Sequence, residues 1–276
     1  EGEREEIRQI YARKGFEGEL LDRVVEVLTS NDERWADVML QQEHGMALLD
    51  DLHAEVATIF RDQWETTAGR VVPVPSSVGL WNKAVEFDEA VVLYADLDGS
   101  TVMVDTKDWW FSAEVYKTFL HCAAKIIKAR DGGITAYDGD RIMALFIGDN
   151  KCTNAVTAAL QINNAVLNII NPALKARYSS QFVARHVVGV DMSPIRAART
   201  GVRGDNDLVW VGRAANYAAK LTSMQSDTPT WITEAVYRRM HDSLKTQNGQ
   251  AVWQPRSWTQ MNNHQVYCST WYWHIR

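Results

Sequence analysis

The chain has 276 residues, of which 46% are hydrophobic and 23% are charged, as in ordinary globular proteins of one or two domains. The formal net charge of −6 argues against a nucleic-acid polymer as partner, because no basic stripe is available to neutralise phosphates. Neither a run of about 20 apolar residues nor a signal-peptide pattern is found, so the sequence predicts a cytoplasmic protein without membrane contact.

Residues 1–70 carry a helical pattern. The apolar residues at heptad-type positions are Trp35, Val38, Leu49, Leu52, Val56 and Ile59. Gln42 and Gly45 interrupt this seam, so two alternatives stay open: an amphipathic helix packed on its own domain, or a helix that supports a dimer. The prolines within residues 71–86 disfavour helix and predict an extended connector after the helical region.

Residues 87–242 are predicted to form one domain of alternating strands and helices. Its first elements are a strand Glu89–Asp96, a helix Trp109–Arg130, a hairpin, a helix Asn150–Ile170 and a strand over 182–191, with 195–200 returning beside it. The order β-α-β-β-α-β is that of a ferredoxin-like unit, and it predicts an α+β fold. Many unrelated proteins share this order, so it does not identify a function.

The rest of the chain continues with a short strand, a helix Arg213–Thr222 and a strand-helix unit Thr230–Met240. Residues 243–276 are predicted to be a strand-rich extension that contains several tryptophans. Such tryptophans are more often core or interface anchors than platforms for stacked bases. Cysteines 122, 152 and 268 form no Cys-x-x-Cys pair, so neither a zinc site nor a disulfide framework is predicted.

The run from Val91 to Thr101 joins a buried strand to a polar loop. Its β-branched and apolar residues end in Asp96 and Asp98, followed by Gly99. Glycine lets the backbone approach a ligand closely, and strand ends are common places for chemistry. An ordinary strand followed by an Asp-Gly turn is the alternative interpretation of this run alone.

A second run, Ile134–Phe146, contains two short strands around Asp138-Gly139, a strong hairpin signal. Asp140 follows this turn, so a hairpin paired beside the first strand would bring Asp140 and Asp96 together. Two ionised carboxylates repel each other unless a cation lies between them. Mg²⁺ often uses one or two carboxylates together with phosphate oxygens of a substrate.

Three blocks in this order resemble the class III nucleotidyl cyclases. Tyr94–Thr101 follows the family's first metal motif, and Gly139–Asp140 follows the second. Gly212–Leu221 is similar to the family's helix with an Asn and, four residues later, a basic residue. The wording of the blocks is most similar to the Pycsar cyclases, bacterial antiphage enzymes that make cyclic pyrimidine mononucleotides. The resemblance covers roughly residues 88–240.

The resemblance implies that the 3′-oxygen of a nucleoside triphosphate attacks its own α-phosphorus and expels pyrophosphate. Two divalent cations per site, Mn²⁺ or Mg²⁺, would assist this reaction. By resemblance, Asp96 and Asp140 bind both cations, and the carbonyl of Leu97 contributes. The residues implied in binding the β- and γ-phosphates are Asp98, Gly99, Ser100 and Thr101.

On the helix of the third block, the resemblance gives Asn216 the role of orienting the ribose. Lys220 stands where the family usually carries an arginine that stabilises the transition state, and Arg213, on the same helical face, could share that role. A family arginine that binds phosphate is replaced here by Val187. The sequence does not choose among the nearby candidates, which are Arg185, Arg196, Arg199 and Arg203.

Further expectations concern assembly. The family forms head-to-tail homodimers in which one protomer supplies the metal ligands and the other supplies the Asn-bearing helix. This chain has both halves, so the resemblance implies a homodimer with two composite sites. It also implies a separate effector that senses the product.

The base specificity is predicted from three positions. Adenylate cyclases carry Lys and Asp, and guanylate cyclases Glu and Cys, where this chain has Ala136 and Val209. Apolar side chains cannot hydrogen-bond a purine edge. Tyr94 replaces the usual Phe, which narrows the pocket and adds a hydroxyl. The residues favour a pyrimidine, with a slight preference for UTP over CTP; a core role for Tyr94 beside a purine pocket is the alternative.

Two competing functions remain open. A cyclase-like domain that has lost a metal-binding Asp becomes a non-catalytic regulatory partner, but both carboxylates are present here. A diguanylate-type palm domain has the same core order, but it needs a Gly-Gly-Asp/Glu-Glu-Phe hairpin that this chain lacks.

Overall fold

In the computed structural model, the described residues are 2–31, 48–178, 181–202 and 204–275. The chain divides into two compact units, Glu1–Gln63 and Trp64–Arg276. Among the described residues, no helix is sufficiently long and apolar to cross a membrane.

The first unit is helical. Helices α1 (Gly2–Arg13) and α2 (Gly18–Leu28) bury a small apolar cluster, and a third helix, α3, is described over residues 48–61. The heptad-type positions on α3 are Leu49, Leu52, Val56 and Ile59, and all four are exposed. The other two members of the predicted seam, Trp35 and Val38, lie outside the described residues.

The second unit is built on one large sheet. Its strands are β1 (Glu65–Ala68), β2 (Lys83–Asp98), β3 (Gly133–Asp138), β4 (Arg141–Phe146), β5 (Arg185–Val202), β6 (Asp205–Val211), β7 (Thr230–Thr233), β10 (Gln254–Trp258) and β11 (His264–Ser269). The order across the sheet is β10-β11-β7-β5-β2-β4-β3, with β1 beside β2 and β6 beside β5. Two short strands, β8 (Thr246–Gln247) and β9 (Gln250–Ala251), form a separate hairpin.

Helices cover both faces of this sheet. They are α4 (Ser100–Thr106), α5 (Trp109–Ala129), α6 (Lys151–Ala165), α7 (Asn171–Tyr178), α8 (Arg213–Leu221) and α9 (Glu234–Arg239). Because side chains alternate along a strand, Leu93 and Ala95 of β2 face the core under α5 and α6, and Val92 and Tyr94 face the side covered by α8. Asp96 therefore lies on the same face as α8. The predicted α+β fold with a βαββαβ core is confirmed.

Three boundaries differ from the sequence-based expectation. Residues 65–68, expected to be helical, form β1, and β2 begins at Lys83 within the expected connector. β5 is one strand over 185–202, and the strand that returns beside it is β6 rather than residues 195–200. Pro194 is tolerated because the missing N–H falls opposite the irregularity between Phe87 and Ala90 of β2.

The second predicted helix also continues further than expected. A π-turn, Val166–Ile170, follows α6 and shifts the hydrogen bonds, so that the N–H of Asn171 donates to the carbonyl of Val166. Helix α7 continues directly from Asn171, so Pro172 lies where the π-turn has already shifted the hydrogen-bond ladder.

The C-terminal extension is part of the second unit and packs against its helices and sheet. Trp253 and Trp258 are buried, and Nε1 of Trp253 donates to the carbonyl of Leu244 at 2.8 Å. Asn163 of α6 donates to the carbonyl of Trp271 at 2.9 Å. These two buried tryptophans are therefore core anchors. The cysteines are free thiols, and burial raises the pKa of Cys152 to about 11.

Candidate active site

Two carboxylates, those of Asp96 and Asp140, lie at the end of the central strand β2. We call this end of the sheet the carboxylate edge. Strand β4 pairs with β2 up to Ala95 and Ile142, which places the β3–β4 turn beside the end of β2. Gly139 and Asp140 form that turn, and Gly139 has the positive φ of 59° that favours glycine. The structure thus brings Asp96 and Asp140 to one end of the sheet.

Asp96 is held in a charged and partly dry environment. Nη2 of Arg141 donates to Oδ2 of Asp96 at 3.0 Å, and the Asp96 side chain is 19% exposed. Burial raises the pKa of the Asp96 carboxyl, Arg141 opposes this rise, and the negative charge of Asp140 adds to it. The influence of Asp140 on this pKa follows from the closeness of the two carboxylates.

Asp140 has a buried oxygen, Oδ2, without a hydrogen-bond partner among the residues that the structure describes. An unsatisfied buried carboxylate oxygen is costly, and a cation is the natural ligand for it. Within the described ranges, no group of three or more His, Cys, Asp or Glu side chains is arranged to hold a metal ion. The donor set therefore fits a divalent cation that brings further oxygen ligands with it, such as phosphate oxygens.

The loop after β2 places further predicted residues beside this edge. Gly99 has a φ of 72°, and α4 begins directly after it at Ser100. Oγ of Ser226 donates to Oδ2 of Asp98 at 2.5 Å. Burial raises the pKa of Tyr116 on α5, a hydrogen bond with Ser100 lowers it, and the charges of both edge carboxylates raise it, so the phenol lies close to them.

Sequence reasoning missed Tyr116 and Arg141. The signal for Arg141 was a charged residue at the start of an otherwise apolar strand, directly after Asp140. Tyr116 follows the buried Val115 on a long amphipathic helix, and nothing in its local pattern points to the carboxylates.

Helix α8 lies on the same face of the sheet as Asp96. It packs against β5 so closely that a Cβ on Gly189 would lie 2.2 Å from the carbonyl oxygen of Ala218. Ala214 and Ala218 are buried, whereas Asn216 and Lys220 are exposed. Nζ of Lys220 lies 3.6 Å from the sulfur of Met261. Asn216 and Lys220 are therefore accessible on the surface of the helix.

Arg213 is committed to a buried partner. Nε and Nη2 donate to the two oxygens of Asp191 at 3.1 and 3.2 Å, and Asp191 is completely buried. The suggestion that Arg213 shares a role with Lys220 stays a prediction.

The three positions predicted to read the base are not all brought together. Ala136 pairs with Met143, which in turn pairs with Tyr94, so Ala136 and Tyr94 lie at one level of the sheet. Arg141 lies over the Tyr94 ring at 5.9 Å, and burial raises the pKa of Tyr94. Val209 is 43% exposed on β6 and pairs with Ala198, a different level of β5 from the partner of Tyr94.

The strand register separates the arginines that the sequence left open. Arg185 is exposed and lies opposite Asp98, at the end of β5 next to the carboxylate edge. Arg196 pairs with Glu86 and Arg199 with Asn206, both further along β5, and Arg203 lies outside the described residues. Val187 is buried, at 2% exposure.

Comparison with known sequences gives two findings. The VIT family matches residues 1–61. The chain is also 53% identical over 231 residues to the uridylate cyclase of Burkholderia cepacia, and this match covers 83% of the chain and 100% of that protein.

Solved structures show the same fold. The adenylyl cyclase CyaB from P. aeruginosa matches with a TM-score of 0.57 at 17% identity, over 70% of this chain and 97% of that chain. The non-canonical dimeric guanylyl cyclase domain of the RhoGC fusion protein from Blastocladiella emersonii matches with a TM-score of 0.53 at 15% identity, over 67% of this chain and 97% of that chain. At these identities the likeness concerns the fold alone, which is that of the class III cyclases.

Proposed function

Because the chain belongs to the uridylate cyclase family and is a nucleotidyl cyclase, we propose that it converts UTP to 3′,5′-cyclic UMP and pyrophosphate at the carboxylate edge. The observation that carries the proposal is the placement of Asp96 and Asp140 side by side at the end of β2. The chain that holds them matches the whole length of a uridylate cyclase. We place catalysis within residues 87–242, between the helical region with its connector and the extension 243–276.

In this proposal, Asp96 and Asp140 hold two divalent cations, Mn²⁺ or Mg²⁺, with the carbonyl of Leu97 as a further ligand. When bound, the cations supply positive charge for the attacking oxygen, the phosphates and the leaving group. The buried, unpartnered Oδ2 of Asp140 supports this assignment, because a cation would satisfy it. Burial is the main cause of the raised pKa of Asp96, and the negative charge of Asp140 adds to it, so a cation between the two carboxylates would stabilise both.

The chain's own residues bind and orient the nucleotide. The loop residues 98–101 receive the β- and γ-phosphates, and Arg185, which lies opposite Asp98, adds a positive charge there. Asn216 orients the ribose and Lys220 stabilises charge that develops on the phosphates. The exposed positions of Asn216 and Lys220 support their action on the carboxylate edge of a second copy.

We therefore propose a head-to-tail homodimer with two composite sites. One protomer supplies Asp96 and Asp140, and its partner supplies α8. A twofold axis makes both sites equivalent, so two copies of this chain suffice.

The preference for UTP is supported by the environment of Tyr94. Ala136, at the level of Tyr94, offers no hydrogen bond to a purine edge, and Tyr94 leaves less space than Phe. Nε of Arg141, which lies beside Tyr94, has no partner within the described part of the chain. A guanidinium has donors only, so it favours the O4 acceptor of uracil over the N4 donor of cytosine.

The decisive experiment supplies each of the four ribonucleoside triphosphates with Mn²⁺ and identifies the products by mass. We expect cyclic UMP and pyrophosphate. Cyclic AMP as the main product would refute the pyrimidine assignment, and cyclic CMP alone would overturn the preference for UTP.

The similarity to Pycsar cyclases supports a biological role as well. We propose that cyclic UMP acts in the bacterial cytoplasm as a second messenger of antiphage defence and is sensed by a separate effector. Phage challenge of cells that carry the wild type or Asp96→Ala, with cyclic UMP measured in both, tests this role. Equal protection by the two chains would contradict it.

A further inference from the structure

A set of buried polar contacts joins the start of α8 to two strands. Besides its two bonds to Asp191, Arg213 donates from Nη2 to the carbonyl of Met192 at 2.7 Å. Thr233 of β7 donates to Oδ1 of Asp191 at 2.5 Å. Asp191 is 0% exposed, so these donors, rather than water, stabilise its negative charge. Removal of one donor would leave a buried charge with too few hydrogen-bond partners.

Helix α8 is fixed at its outer side as well. Tyr217 meets Trp258 and His264 of the C-terminal hairpin edge to face, with ring centroids 5.5 and 5.6 Å apart. The Arg213 guanidinium lies 5.2 Å from the centre of the same Tyr217 ring. Arg213 thus connects a buried carboxylate of the sheet with the aromatic contacts of the C-terminal extension.

We propose that Arg213 and Asp191 are positioning residues, which fix the rotation of α8 and thereby the places of Asn216 and Lys220 in the composite site. Asn216 and Lys220 follow Arg213 by about one and two helical turns, so a rotation at Arg213 moves both side chains. The inference rests on the proposed function, because it concerns the α8 half of a shared site.

Arg213→Lys and Asp191→Asn test this role. Lys keeps the charge but loses the fork of two donors, and Asn keeps the shape but loses the charge. We expect each change to lower kcat for UTP by up to about 100-fold, since small displacements of catalytic groups have such effects. The KM for UTP and the binding of Mn²⁺ are expected to stay close to wild type.

Arg239→Lys is the matched control. Arg239 of α9 makes a similar two-donor pair with Glu89, at 2.8 and 2.9 Å, but both side chains of this pair are exposed. We expect it to keep wild-type kcat. Thermal melting of all variants reports whether they fold, and unfolding of both Arg213→Lys and Asp191→Asn would overturn the proposal by making the pair purely structural.

Mixing experiments assign the defect to one half of the site. Each positioning variant should regain activity when mixed with Asp96→Ala, which carries an intact α8, and should gain none with Asn216→Ala. Wild-type kcat in Asp191→Asn together with a loss in Arg213→Lys would overturn the proposal, because Arg213 would then act directly on the nucleotide. Recovery with Asn216→Ala would overturn it too.

A reference mixture of Asp96→Ala with Asn216→Ala tests the composite sites separately from the positioning role of Arg213 and Asp191. Activity in this mixture supports composite sites, and the mixing results of the positioning variants then test only whether their defect lies in the α8 half. An inactive reference mixture would count against composite sites, and kcat and KM of Asp191→Asn would still decide whether the pair positions α8.

Discussion

The carboxylate edge and the exposed face of α8 lie on the same side of the sheet. They differ in which of the groups that a working site needs are supplied by one chain. At the edge, Asp96 and Asp140 are partly buried and close to each other; Arg141 donates to Asp96, and Oδ2 of Asp140 has no partner among the described residues. On α8, Asn216 and Lys220 are exposed, although the helix under them is packed tightly onto β5.

The difference indicates two kinds of missing partner. The edge has an excess of negative charge, which a cation would neutralise. The helix face is firmly supported and accessible, and in the proposed homodimer it acts on the carboxylate edge of a second copy. Each prediction below tests one side of this comparison.

Loss of an edge carboxylate is expected to have the largest effect. Asp96→Ala or Asp140→Ala should abolish cyclic nucleotide formation, because each removes a proposed cation ligand. Each variant should still fold, because the change relieves electrostatic repulsion between the two carboxylates. Product formation and circular dichroism check both statements. Asp131→Asn, at an exposed turn, is the control. Residual activity above about 5% in either alanine variant would contradict the metal assignment.

Mixing tests whether the two regions meet across a dimer. Equal amounts of Asp96→Ala and Asn216→Ala should give roughly a quarter of the wild-type sites, because half of the dimers are mixed and each has one intact site. Activity after mixing, compared with each variant alone, is the measurement. No gain on mixing would mean that each chain completes its own site.

The sequence predicted the elements at both regions because their signals are local. The apolar run of β2, the Asp-Gly hairpin and the small-residue face of α8 are each visible within about ten residues. Contacts between distant residues were not predictable. Arg141 reaches Asp96 across 45 residues of chain, and Arg213 reaches Asp191 across 22. Both contacts depend on packing and strand register, which the local pattern does not encode.

The place of Arg185 likewise could not be predicted from the local sequence pattern, and this residue gives the next prediction. Four arginines were open in the sequence, and only the pairing of β5 with β2 places Arg185 opposite Asp98. Arg185→Gln should raise the KM for UTP roughly tenfold, because it removes a charged hydrogen bond to the phosphates. Arg196→Gln, on the same strand but paired with Glu86, is the control. An equal rise in KM for both variants would remove the special role of Arg185.

The smallest effect concerns the layer beneath the carboxylate edge. His186 of β5 lies opposite Leu97, is 2% exposed, and its Nε2 has no hydrogen-bond partner among the described residues. Burial lowers the pKa of His186 from 6.5 to about 4. His186 therefore binds a proton near pH 6.5 in the unfolded chain but only near pH 4 in the folded chain. The free energy of unfolding falls as the pH drops through this window, because the unfolded state binds more protons there.

The loss should amount to about 3 kcal/mol between pH 7 and pH 4, with full stability above pH 6.5. Urea unfolding at several pH values measures it. His186→Leu should flatten this dependence, because leucine suits the dry site beside Phe119 and does not titrate. His121→Leu, at an exposed position of α5, should leave the dependence unchanged. If the free energy of unfolding of His186→Leu fell equally steeply with decreasing pH, His186 would not be the cause of the acid sensitivity.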